Sequence, residues 1–207
     1  MTTTAPARRP RKDAAANRAG ILAAAATTIA SDPHASIDSI ARAAGLSRRA
    51  LYGHFDDRDT LIRELVASGA VRFNAVAASI DDADARVGLA RLTARLWREA
   101  AHVQVAAAIA LDEAHVAQTA EALAPLRRTV QAIVAGGQAA GTLRQDLTAA
   151  TLARLIEETA RTVVTRLDAA SPDAGALAVR AVLSIAGLSW READALLVAQ
   201  PELLEEH

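Results

Sequence analysis

Cysteine is absent from the 207-residue chain, and aromatic residues make up only 2% of it. Without a thiol there is no disulfide, no thiolate metal site and no cysteine nucleophile, and cysteine usage leaves the redox compartment open. With so few rings, the 52% of hydrophobic residues is carried mostly by alanine, leucine, isoleucine and valine. Alanine favours helices and sheet-rich folds draw on aromatics, so an all-α protein is expected. Long apolar runs are missing too, since none approaches the ~18 uninterrupted residues that span a bilayer. The polar, basic N-terminus MTTTAPARRPRKDAAANR carries no apolar stretch of the signal-peptide kind. A soluble cytoplasmic protein with no membrane partner is the expectation.

Motifs of catalysis are equally scarce. His102, Asp112 and His115 have the side chains of metal ligands, but their spacing matches no compact site, and solvated helix faces explain them better. The stretch GGQAAGTL has glycines at 136 and 141, yet threonine follows Gly141 where a phosphate-binding loop needs lysine, and no strand precedes it. No serine sits in a nucleophile motif. The expectation is therefore no enzyme, no cofactor and no metal.

What is present is an uneven charge. The net charge is −1, but residues 1–55 hold eight Lys/Arg against three Asp, a net of +5, which leaves −6 on residues 56–207. A basic end on an acidic body points to a polyanion met by the N-terminal end alone. Residues 1–12 are rich in Thr, Ala and Pro and cluster Arg8, Arg9, Arg11 and Lys12. They read as a disordered tail, either following DNA phosphates or merely solvated.

Ile21, Leu22, Ala25 and Ile29 recur at helical spacing, predicting a helix over about 14–30 that Ser31-Asp32-Pro33 stops. Ser36 is placed to cap a second helix, whose Ile37, Ile40, Ala41 and Ala44 fall on one stripe. Gly45 ends it, Leu46 fills the corner, and Ser47 is placed to cap a third helix. In that third helix Leu51 and Phe55 face the core, while Arg48, Arg49 and Tyr52 converge on the opposite side. Helix, glycine turn and helix with a polar outer face make a helix-turn-helix. A longer helix is predicted from Asp56-Asp57 to about Ser79. Further helices are predicted over 85–100, 102–113, 116–140 with a bend at Pro125, 148–169, 173–186 and 190–199. Ser189 and Glu192 have capping-box spacing at the start of the last.

These residues carry a resemblance. RAGILAAA, SIDSIARAAGLSRRALYGHF and DDRDTLI, within residues 17–65, resemble the DNA-binding module of the TetR family of bacterial transcriptional regulators. Ile-Ala-x-x-Ala-Gly-x-Ser-x-x-x-Leu-Tyr-x-His-Phe at these spacings is far more specific than a helix-turn-helix pattern alone. GTLRQDL at 141–147 is similar to a segment often found in the family's regulatory half. Three departures stand out: Arg58 where the family often has lysine, Gly53 within the recognition helix, and His34 where a small turn residue is usual.

The resemblance implies an all-α chain in three parts: a tail (1–12), a three-helix DNA-binding domain (13–57), and a helical ligand-binding and dimerisation domain (58–207). An arginine can offer parallel donors to guanine O6 and N7, which makes Arg48 and Arg49 the candidate base readers. Tyr52 is a candidate for a phosphate or thymine-methyl contact. His54 and Arg58 fit phosphate contacts by resemblance; Ser36 and Ser47 are further candidates, although capping alone explains both. Two recognition helices of a dimer would read palindromic half-sites roughly 34 Å apart. By resemblance, 148–169 and 173–186 supply a homodimer interface, with Leu152, Leu155, Ile156, Val163, Val164, Leu177, Val182 and Ile185 as apolar candidates that compete with intrachain core. The helices over 85–140 would enclose a pocket for an unknown small-molecule effector, with Trp97, His102, Gln104, Asp112, His115 and Gln118 as candidate contacts. The expected function is a ligand-responsive repressor of a double-stranded DNA operator. The alternative is a helical protein-interaction scaffold without sequence-specific DNA binding.

Overall fold

The structure, a computed structural model, describes residues 10–32, 34–101, 116–166 and 171–204. Every regular element among them is helical. The helices are α1 (Pro10–Ser31), α2 (Ile37–Ala43), α3 (Arg48–Tyr52), α4 (Arg58–Ala78) and α5 (Ala85–Ala101). They continue with α6 (Val116–Ala122), α7 (Ala124–Ala139), α8 (Ala149–Arg166), α9 (Ala174–Ala186) and α10 (Trp190–Ala199), followed by a 3₁₀ turn at Pro201–Leu203. The chain forms two compact units, residues 1–66 and 67–207. The division falls inside α4, where the sequence reading put it at 57/58. The predicted helix over 102–113 lies outside the described residues, as does the tail up to residue 9.

In the first unit, α1 buries Ile21, Ala25 and Ile29, four residues apart each time. Ile37, Ile40 and Ala41 of α2, Leu51 of α3, Phe55, and Leu61 and Ile62 of α4 are buried with them. α1 begins at Pro10, four residues before the predicted start. Proline suits the first helical position because its fixed φ is helical and its missing N–H has no intrahelical partner there.

In the second unit α9 lies at the centre, packed against α5, α8 and α10. Its Val179, Val182, Leu183 and Ala186 fall at i, i+3, i+4 and i+7 and are buried. They share one core with Leu89 and Leu92 of α5, Val130 and Val134 of α7, Leu152 and Ile156 of α8, and Leu197 and Leu203. Each fully buried aliphatic side chain of this kind contributes roughly 1.5–3 kcal/mol, and among the described residues the buried members of this core include no aromatic ring. Among the described residues no helix is long and apolar enough to cross a membrane.

Candidate nucleic-acid interface

The interface is built from two capped helices and the turn between them. Ser36, in extended conformation, accepts a hydrogen bond from Ser39 N at 3.1 Å and so starts α2. α2 closes with Leu46 N donating to Ala41 O (2.8 Å) and Gly45 N to Arg42 O (3.1 Å). That pairing needs a left-handed residue, and Gly45 supplies it at φ +70°. Ser47 then caps α3 by accepting from Ala50 N at 3.2 Å.

Leu51 and Phe55 are buried, which fixes the rotation of α3. Arg48 and Arg49 are exposed, and Tyr52 is 40% exposed, on the opposite side. α3 itself has only five residues, because Gly53 forms its C-cap with N–H bonds to Arg49 O and Ala50 O. Arg48 Nη1 donates to Asp38 Oδ2 at 3.1 Å, and its guanidinium lies 5.5 Å from the Tyr52 ring centroid. The Tyr52 hydroxyl and the Asp38 carboxylate both favour the charged form of Arg48. The Arg49 side chain makes no hydrogen bond, ion pair or ring contact with a described residue.

The flanking candidates have other ties. His54 is half-buried, and its carbonyl accepts from Arg18 Nη1 at 2.7 Å. Arg58 Nε donates to Ala35 O at 3.3 Å, across the turn that leads into α2. Asp57 caps α4 by accepting from Thr60 N at 2.6 Å, and this bond holds its carboxyl below the usual range. Sequence reasoning missed Asp38, which lies ten residues from Arg48 and has no local spacing to mark it.

The other two groups of candidates separate by burial. Trp97 is buried against Val163, Ala174 and Ala178, and Gln118 is exposed. His102, Gln104, Asp112 and His115 lie outside the described residues. Leu155 and Leu177 are 42% and 48% exposed, and Val164 and Ile185 are half-buried. Leu152, Ile156 and Val182 belong to the central core of the second unit, and Val163 packs on Trp97. Among the described residues no group of three His, Asp or Glu could hold a metal ion.

Residues 21–65 match the family described as bacterial regulatory proteins, tetR family. Solved structures with a similar fold include three regulators. One is a TetR family transcriptional regulator, PfmR, from Thermus thermophilus, at 20% identity and TM-score 0.69, covering 82% of this chain and 98% of that one. Another is the transcriptional regulator FadR from Bacillus subtilis in complex with stearoyl-CoA, at 18% identity and TM-score 0.69, covering 82% and 97%. The third is the fatty acid degradation regulator FadR from Bacillus halodurans, at 19% identity and TM-score 0.69, covering 90% and 97%. No curated protein sequence matches the chain. At these identities the likeness to the solved structures is one of fold.

Proposed function

Since residues 21–65 match the model of the tetR family of bacterial regulatory proteins, we propose that the chain is a member of that family and a ligand-responsive repressor. It would bind a palindromic operator as a homodimer and leave it when a small molecule binds the second unit. The observation that carries the reading is the outward face of α3, where Arg48, Arg49 and Tyr52 stand opposite the buried Leu51 and Phe55. An α-helix fits the major groove, and a bidentate arginine–guanine contact gives roughly 1–3 kcal/mol of discrimination.

Arg48 and Arg49 are the base readers in this reading, and Tyr52 touches a phosphate or a thymine methyl. Ser36, Ser47, His54 and Arg58 contact phosphates, which position the module without reading sequence. The dimer draws on the exposed Leu155 and Leu177 with the half-buried Val164 and Ile185. The buried Leu152, Ile156, Val163 and Val182 have little surface left for a partner. A small-molecule effector is supported by the Bacillus subtilis FadR structure in complex with stearoyl-CoA. Effector and DNA then weaken each other by one shared factor, typically worth 1–3 kcal/mol.

Fluorescence anisotropy on DNA flanking the protein's own gene, against a scrambled duplex at low and near-physiological salt, tests this. Tight, salt-sensitive binding to the flanking DNA, lost in Arg48→Ala/Arg49→Ala, is the expected outcome. No binding to any duplex at low salt would overturn the reading in favour of a protein-interaction scaffold.

A further inference from the structure

We propose that Asp38 is a positioning residue for Arg48, and that the pair makes Arg48 a reader of bases and a poor ligand for phosphate. The inference rests on the reading of α3 as the recognition helix and adds a specificity determinant on the preceding helix.

Asp38 stands in the first turn of α2, where an acid suits the helix dipole, yet the cap there is already made by Ser36. Its carboxylate goes elsewhere. Oδ2 accepts from Arg48 Nη1 at 3.1 Å, while Oδ1 is closed off from solvent with no hydrogen-bond partner. The bridge crosses the glycine turn and joins the first turns of α2 and α3. On the other side the guanidinium lies 5.5 Å from the Tyr52 ring centroid, within cation–π range. Arg48 is thus fixed from two directions, whereas Arg49, next to it in sequence, is not.

Stability does not account for this arrangement. The Arg48 and Asp38 side chains are 63% and 45% exposed, and pairs this open to water contribute little. An acid on a face that meets a polyanion also lowers affinity. Its consequence is selective, however. A phosphate brought to Arg48 meets the Asp38 charge beside it, whereas a guanine edge carries no net charge and is repelled less. Asp38 occupies Nη1 alone, so the donors at Nε and Nη2 remain uncommitted to the carboxylate and form the fork that guanine O6 and N7 accept. The bridge also biases a long side chain toward this geometry before binding, so somewhat less freedom is lost on contact.

The test uses four full-length proteins: wild type, Asp38→Asn, Arg48→Ala and the double variant. Wild type first selects its preferred duplex from a random pool. Anisotropy then measures each protein on the selected and a scrambled duplex across a salt series. In Asp38→Asn the ratio of selected to scrambled affinity is expected to fall about five- to tenfold, the effect of loosening one bidentate contact. Binding to the scrambled duplex tightens, and its salt slope steepens by about 0.9, as for one further phosphate contact. In the Arg48→Ala background the same change moves the ratio less than about twofold, because the residue being positioned is gone. Asp38→Glu, which keeps the charge, recovers at least about half of the lost ratio on the same scale. An unchanged ratio in Asp38→Asn overturns the proposal. So does an equal fall with Arg48 absent, which would mark a general charge effect. If wild type enriches no sequence, no ratio exists for any of the four proteins, and the DNA-reading interpretation fails together with the inference built on it.

Discussion

Arg18 is the residue whose loss should be felt most widely in the DNA-binding unit. Its Nε donates to Glu64 Oε2 at 2.7 Å, Nη2 bonds Glu64 Oε1, Nη1 bonds the His54 carbonyl, and the guanidinium lies 4.4 Å from the Phe55 ring centroid. One side chain therefore joins α1, the turn after α3 and α4. Both partners are more than a third exposed, so solvent weakens the pair. Arg18→Ala should still cost about 1–3 kcal/mol, because the His54 carbonyl and the Glu64 carboxylate lose their partner together. Amide exchange of residues 17–31 and 58–66 would read this as faster opening, and unchanged protection would refute it. The bond to Arg18, followed by its charge, holds the Glu64 carboxyl below its ordinary value, while partial burial pushes the other way. A depressed native value means that the unfolded chain takes up the proton first as pH falls. The stabilisation is then complete at neutral pH and fades from roughly pH 5 downward. Glu64→Gln should lower protection at pH 7 and flatten its acid dependence, whereas parallel pH profiles would assign the acid limb to other groups. None of this was legible in the sequence, since Arg18 meets residues 36 and 46 positions away. Ser36 and Ser47 were legible as caps because each bonds a residue three places on.

At the scale of elements, sequence pattern succeeded wherever the cause of a helix end is local. The capping box of Ser189 and Glu192 starts α10, and Gly45 ends α2. The pattern went astray where the cause is distant. One bent helix was expected over 116–140, but α6 stops at Ala122 and α7 starts at Ala124 with Pro125 in its first turn. The break is held by Asn74 of α4, whose Nδ2 donates to Ala122 O (2.9 Å) and whose Oδ1 accepts from Leu126 N (3.1 Å). Asn74→Ala strips partners from a carbonyl and an N–H at once, an expected loss of about 1–3 kcal/mol. Asn74→Asp keeps the acceptor for Leu126 N but sets a carboxylate oxygen against the Ala122 carbonyl, so its urea midpoint should also fall below wild type. If both variants match wild type, water replaces the amide and the break does not depend on it. Gly187 follows the same logic at the end of α9. Its φ is +109°, and an added Cβ would lie 2.7 Å from Arg144 Cβ, a residue the sequence gives no reason to place there. Gly187→Ala should lower the thermal midpoint through strain of about 1–3 kcal/mol, and an unchanged midpoint would show that the α9–α10 corner yields easily.

For the whole molecule, the question is which apolar residues serve the chain's own core and which would serve the second copy of the proposed dimer. Leu152, Leu155 and Ile156 are alike in sequence, and helical spacing alone sets both a core stripe and a partner stripe. Burial separates them: Leu152 and Ile156 are sealed in the core of the second unit, while Leu155 stays 42% exposed on α8 and Leu177 48% exposed on α9. Singly exposed aliphatic side chains are ordinary on a protein surface, but brought together across a two-fold axis these two would suit an interface whose halves are identical. A double substitution, Leu155→Glu with Leu177→Glu, places four like charges across such an interface while leaving each chain's own core intact. If the proposed dimer forms through these residues, sedimentation velocity should show the double variant as a folded monomer with unchanged helix content. Linking two half-site contacts through a dimer raises affinity by about 10²–10⁴ over either alone. Binding to a two-half-site duplex should therefore drop by a large part of that factor, and binding to a single half-site should barely move. A variant that stays dimeric would move the interface to other exposed apolar residues, such as Trp190 and Val198 of α10. A variant that becomes monomeric yet keeps full operator affinity would contradict the two-fold reading of DNA itself.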